Sequence, residues 1–244
     1  MKAFSAQIFR ALSLVLFFVL LIPARAGVLT LDWIGAGNNP VGGYYVSPYT
    51  AEIRNTGDFI TLYCIDFNHE VAPPLEWQAV IQPLTWSNVG SLQYGNWSSN
   101  VNNTWINYEA AAWLITQLTQ SNSLYQQGVD QYAAWKIFLD PAHAGAFDYW
   151  VNALGSSFAA DVNAAYTNAF TAVQNGYSPT GWDVVSPDPA GLPDSTQEFL
   201  TPAEAQLTPL ATPEPGSILL LGTILLAGAS LGRWRLGRKR TGPR

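Results

Sequence analysis

Apolar and polar residues alternate along four stretches in the first half of the chain: Val28 to Ile34, Tyr49 to Asn55, Phe59 to Asp66 and Trp77 to Leu84. A period of two sends successive side chains to opposite faces of a strand. The β-branched and aromatic residues in these stretches suit a pleated, half-buried surface. Asn55-Thr56-Gly57-Asp58 supplies the turn chemistry for a hairpin between the second and third stretches. After Thr104 the period lengthens. Ile106, Ala110, Trp113/Leu114 and Leu118 recur at helical spacing, as do Val129, Ala133 and Ile137. Leu154, Phe158, Val162, Ala165, Ala169 and Val173 predict the longest helix. Strands followed by helices indicate an α+β domain: an N-terminal antiparallel β-sheet or barrel, then a helical part.

Two further apolar runs frame this domain. Met1 to Ala26 has the order of a secretory signal, with Lys2 and Arg10 at the start, apolar Leu12 to Ile22, and the small-x-small site Ala24-Arg25-Ala26. Its apolar part, at 11 residues, favours a cleaved signal over the alternative, an N-terminal membrane anchor. The second run, Ser217 to Leu231, is extended by Gly232 to Leu236 and predicts a C-terminal transmembrane helix over 216–236. Arg233, Arg235, Arg238, Lys239 and Arg240 would hold its far end in the cytoplasm, leaving the domain outside. Pro213, Glu214 and Pro215 precede it. The order Pro-Glu-Pro, apolar span, Arg-rich end resembles the PEP-CTERM sorting signal of Gram-negative bacteria. That resemblance implies an exosortase as partner and residence in the inner membrane before processing. It also implies removal of the tail near Pro213 to Pro215 and delivery to the envelope, outer surface or extracellular matrix.

The expected organisation is therefore a signal peptide at 1–26, a domain at 27–177, a Pro-rich linker at 178–211 and a sorting signal at 212–244. Within the linker, Trp182-Asp183-Val184-Val185 and Phe199-Leu200 are candidate edge strands of the domain.

Charge narrows the partners. Only 11% of the residues are charged, and between 27 and 212 Arg54 and Lys136 face sixteen acidic residues, a net charge of −14. Such a surface repels phosphate backbones and excludes nucleic acid as a partner of the mature domain. Two His and one Cys argue against a His/Cys zinc site, and no motif calls for a cofactor.

Cys64, in Leu62-Tyr63-Cys64-Ile65-Asp66, is the only cysteine, so an exported chain has no disulfide partner for it. Taken alone it reads as a small buried apolar residue. Gln131, in Gln131-Tyr132-Ala133-Ala134-Trp135, shares a predicted helix face with Ala134, Trp135 and Phe138, where an amide is costly without a partner. Aromatic-Cys-aliphatic-Asp followed by Gln-x-Ala-aliphatic-Trp resembles the thioester domains of bacterial surface adhesins. Here Ala134 stands where that pattern usually carries Ile or Val. Tyr108 to Ile115 resembles the helix between the two motifs. The resemblance implies an internal Cys64–Gln131 thioester, formed with loss of ammonia, that acylates an amine or hydroxyl once. Asp66 and Trp135 belong to its motifs, with Asp66 expected to order the loop after Cys64. His69 is either a proton shuttle or an ordinary loop histidine, and nothing gives His143 a role.

Three readings follow from the sequence. The chain is a non-enzymatic surface protein that attaches itself covalently to a matrix polymer, protein or host surface. Alternatively it is a non-covalent matrix or carbohydrate-binding protein with an inert cysteine, using exposed aromatics among Trp86, Tyr94, Trp97 and Trp105. A secreted hydrolase is the weakest reading, because no paired carboxylates, phosphate loop or metal motif stands out.

Overall fold

The computed structural model describes residues 28–36, 40–69, 75–97, 100–188 and 196–203, the side chains of 96 and 97 excepted. Its strands are β1 (Val28–Gly35), β2 (Pro40–Val41), β3 (Tyr44–Tyr45), β4 (Tyr49–Ile53), β5 (Asp58–Cys64), β6 (Glu76–Pro83), β7 (Trp182–Pro187) and β8 (Phe199–Pro202). Its α-helices are α1 (Gln93–Trp97), α2 (Val101–Gln120), α3 (Leu124–Ile137), α4 (Ala144–Ala153) and α5 (Ser156–Gln174).

Six strands close an antiparallel barrel in the order β1-β4-β5-β8-β7-β6. The alternating pattern read from the sequence is the reason the barrel has an inside. Tyr49, Ala51 and Ile53 of β4 and Ile60, Leu62 and Cys64 of β5 are buried, while Phe59 and Thr61 face outward. Leu31, Trp33, Trp77, Ala79 and Phe199 complete the filling. The β4–β5 hairpin turns where expected, with Asn55 at φ 69° and Gly57 at φ 77°. On the outer surface Arg54 pairs with Asp32 at 2.6 Å and with Glu76.

The expected fold class requires two corrections. First, the order is not strands and then helices, because β7 and β8 follow the helices. The two stretches expected to be edge strands lie inside the closed sheet: β8 pairs with β5 at Tyr63↔Leu200 and Cys64↔Phe199, and with β7 along its length. Full closure removes sheet edges, so these strands bury apolar residues on the barrel wall instead of lining a rim. Second, the expected transmembrane helix is not found: among the described residues no helix is long and apolar enough to cross a membrane. The longest, α2 and α5, interleave Asn, Gln and Thr with apolar residues because one side of each meets water. The span expected at 216–236 lies outside the described residues. So do the signal segment 1–26, Pro213, Glu214, Pro215, Arg233, Arg235, Arg238, Lys239 and Arg240.

The helices form a second layer. Asn100 caps α2 by accepting the Asn103 N–H, and Ser123 caps α3 through the Gln126 N–H. The helix predicted from Leu154 begins at Ser156 instead, because Gly155 takes φ 101°; at 19 residues it is one shorter than α2. Helix α3 is central: every residue from Gly128 to Trp135 is buried, the mark of a helix covered on all sides. The small β2–β3 hairpin lies on it. The Tyr132 hydroxyl donates to the Val41 carbonyl at 3.0 Å, and a Cβ on Gly128 would come within 2.8 Å of Val41 Cγ1.

Candidate functional site

Cys64 is the last inward-facing position of β5 and is fully buried. Gln131 faces it from α3, also fully buried. The Gln131 carboxamide is held at both ends. Its Nε2 donates to the carbonyl of Cys64 at 2.6 Å, and its Oε1 accepts the backbone N–H of Ser47 at 3.0 Å. A backbone acceptor faces one atom and a backbone donor the other, so only one orientation of the amide satisfies both. Ser47 also accepts, through its Oγ, the N–H of Cys64 at 2.9 Å. Serine, cysteine and glutamine thus form a closed hydrogen-bonded group where the segment after the hairpin, the end of β5 and the middle of α3 meet.

The thiol is held as closely. Trp135, one turn beyond Gln131 on α3, donates its indole N–H to Cys64 Sγ at 3.3 Å. Sγ in turn donates to the Asp66 carbonyl at 3.1 Å, and the Asp66 N–H points back at Sγ at 3.4 Å. Burial pushes the thiol's pKa well up, and the nearby Asp66 carboxylate adds to this; the hydrogen bonds from the Asp66 N–H and Trp135 oppose it. At neutral pH the unmodified cysteine is a protonated thiol.

Asp66 is hydrogen-bonded within the loop after β5 and to the residue that precedes β8. Its Oδ1 accepts the Asn68 N–H at 2.9 Å, and its Oδ2 lies 2.7 Å from His69 Nδ1 and 3.4 Å from the Glu198 N–H. His69 is 14% exposed in its side chain while Asp66 is fully buried. Together with Trp135, His69 borders a cavity of about 490 Å3 whose wall also includes Trp33, Tyr44, Tyr49 and Phe67. His143 also borders it but is tied to Asp140 at 2.8 Å on a half-exposed loop. The five site residues picked from the sequence therefore lie together: Cys64, Asp66 and His69 on one segment, Gln131 and Trp135 on one helix.

Sequence reasoning missed the residues that fasten this group. Ser47 was one; Gly42-Gly43, between Val41 and Tyr44, was the available sign of the hairpin that leads to it. The others lie in the stretch read as linker. Gln197 Nε2 donates to the carbonyls of Asp66 at 2.9 Å and His69 at 2.6 Å, and the Glu198 carbonyl accepts from the Ile65 N–H at 3.2 Å. The Glu198 carboxyl is fully buried, accepting from the Tyr108 hydroxyl, the Ser186 hydroxyl and the Gln93 N–H. Burial pushes its pKa up to about 7. No local pattern marks a buried glutamate in a Pro-rich stretch.

The aromatic loop divides. Trp86 is 51% exposed and meets Trp105 edge-on at 6.1 Å, whereas Tyr94 stacks on Phe138 at 4.4 Å as a packing residue.

No family model matches the chain, and no curated protein matches it. Among solved structures, the chain is similar to the N-terminal thioester domain of protein F2 like fibronectin-binding protein from Streptococcus pneumoniae. The identity is 12% and the TM-score 0.44, covering 73% of this chain and 96% of that one.

Proposed function

We propose that this is an exported surface protein whose Cys64 and Gln131 condense into an internal thioester, which then fixes the protein covalently to an amine- or hydroxyl-bearing surface or matrix target. The observation that carries this reading is the Gln131 carboxamide, buried against Cys64 and clamped between the Ser47 N–H and the Cys64 carbonyl. In the first step the Cys64 sulfur bonds to Gln131 Cδ, the Cδ–Nε2 bond breaks, and the thiol proton leaves with the nitrogen as ammonia. The Ser47 N–H already points at the oxygen on which negative charge develops in the tetrahedral intermediate, a donor in place before the reaction. In the second step an amine or hydroxyl adds to Cδ, the Cδ–Sγ bond breaks, and Cys64 regains a proton as the free thiol. The target keeps Gln131 as an amide or ester. The protein is consumed as acyl donor in one turnover and is not an enzyme in this reading.

Burial favours the neutral thioester over a thiolate, and it keeps water from the acyl group. The cavity bordered by Trp135 and His69 gives a target its approach. Neither cation of the domain competes: Arg54 is paired on the barrel exterior, and Lys136 is bonded to Asn163 and lies 5.3 Å from the Tyr166 ring of α5. The secretory start and the Pro213-Glu214-Pro215 tail support export and exosortase-directed sorting to the envelope or extracellular matrix.

Intact mass of the chain from Gly27 to Ala211 tests the chemistry. The wild type should weigh one ammonia less than its sequence, Cys64→Ala and Gln131→Ala should show full mass, and methylamine should add to the wild type alone. A wild type at full mass, with a thiol that alkylates on unfolding, would rule out the thioester and leave a non-covalent binding protein.

A further inference from the structure

We propose that the cleft between α2, α3 and α5 around Asp130 is a binding site for a neutral hexose unit of a surface polysaccharide. It is separate from the Cys64–Gln131 group and holds whether or not the thioester forms.

Asp130 is 2% exposed. One carboxyl oxygen accepts from Gln126 Nε2 at 2.9 Å; the other is buried and has no hydrogen-bond partner among the described residues. An acceptor left so costs stability. The cleft that Asp130 lines has a volume of about 300 Å3, enough for a single sugar ring. Gln117 and Gln120 of α2, Gln126 of α3 and Asn168 of α5 surround it, and Trp113 contributes a ring. Trp113, Gln117 and Gln120 stand at i, i+4 and i+7, so α2 presents one face to it.

The choice of ligand follows from these groups. A carboxamide both donates and accepts, as does each hydroxyl of a sugar, so four amides around one cleft match vicinal hydroxyls without any net charge. An indole face packs against the C–H face of a pyranose. No Lys or Arg is among the cleft's lining residues, which disfavours phosphate or sulfate. A single aromatic ring is not the cage that an alkylammonium requires.

Saturation-transfer NMR and calorimetric titration of the full chain with the methyl glycosides of glucose, galactose, mannose and N-acetylglucosamine provide the test. At least one glycoside should bind with a Kd near or below roughly 1 mM, and Gln117→Ala and Asp130→Asn should each weaken it about tenfold. Circular dichroism must show that both variants keep the wild-type helix content; if Asp130→Asn does not, Gln117→Ala, on the half-buried rim, decides alone. Three results would each overturn the proposal: no glycoside binding, affinity unchanged in a folded Gln117→Ala variant, or displacement of the glycoside by n-propylammonium at equal concentration.

Discussion

The two sides of α3 differ more than their sequence positions suggest. Gln131 and Asp130 are adjacent, both buried, and about 100° apart on the helix. On the barrel side the Gln131 amide is satisfied at both ends by backbone groups, which belong to a closed sheet and the segment entering it. On the helical side, among the described residues, the Asp130 carboxyl has one partner, the side chain of Gln126, and one orphaned oxygen. A backbone partner is fixed by the fold, whereas a side-chain partner on a helix surface can turn away. The first environment is complete without a ligand and suits a reaction internal to the protein. The second is incomplete and suits recognition of something from outside.

The largest test of this contrast is Gln131→Ala. Made in a Cys64→Ala background, where the amide stays intact, it orphans the Ser47 N–H and the residue-64 carbonyl together and leaves a void, so it should destabilise the domain by about 4 kcal/mol in urea titration. A loss below about 1 kcal/mol would mean that water replaces the amide easily and that the barrel side is not closed. Next is Glu198→Gln. The Glu198 carboxyl titrates at about 7 in the fold against an ordinary 4.5, so the folded state holds its proton more tightly than the unfolded one. That contribution to stability is complete below pH 4.5 and is lost as pH rises to about 7. The fall amounts to roughly 3 kcal/mol in the wild type, and Glu198→Gln should flatten it. An unchanged slope in the variant would remove Glu198 from the account.

What the sequence disclosed follows the same division. The period of two in β4 and β5 made the barrel wall legible, and it put Cys64 on the inward face. Helical spacing made α2, α3 and α5 legible, and it put Gln131 among apolar neighbours. Barrel closure was not legible, because β8 is four residues long and its partner β5 lies far back in the chain; pairing at that separation leaves no periodic trace. Ser47, Gln197 and Glu198 were invisible for the same reason, since their roles depend on which backbone groups the closed barrel brings to them. Asp130 was passed over because a carboxylate on a helix ordinarily faces water, and only the burial of α3 on all sides makes it unusual.

Asp130→Asn gives the smallest and most direct test of the helical side. Burial pushes the Asp130 carboxyl up to about 6 from an ordinary 3.8, and the hydrogen bond from Gln126 opposes the rise. The fold therefore favours the protonated form, and the ionised form weakens it. Stability from this group is present below pH 3.8 and is lost as pH climbs to about 6. Asparagine keeps the shape and never ionises, so the variant should match the wild type near pH 3.5 and exceed it by about 2 kcal/mol at pH 7.5. The gain should shrink when a glycoside that binds the wild type more tightly than the variant is present. If the variant is instead less stable at pH 7.5, the carboxylate is already satisfied in solution, and the two sides of α3 are not different in kind.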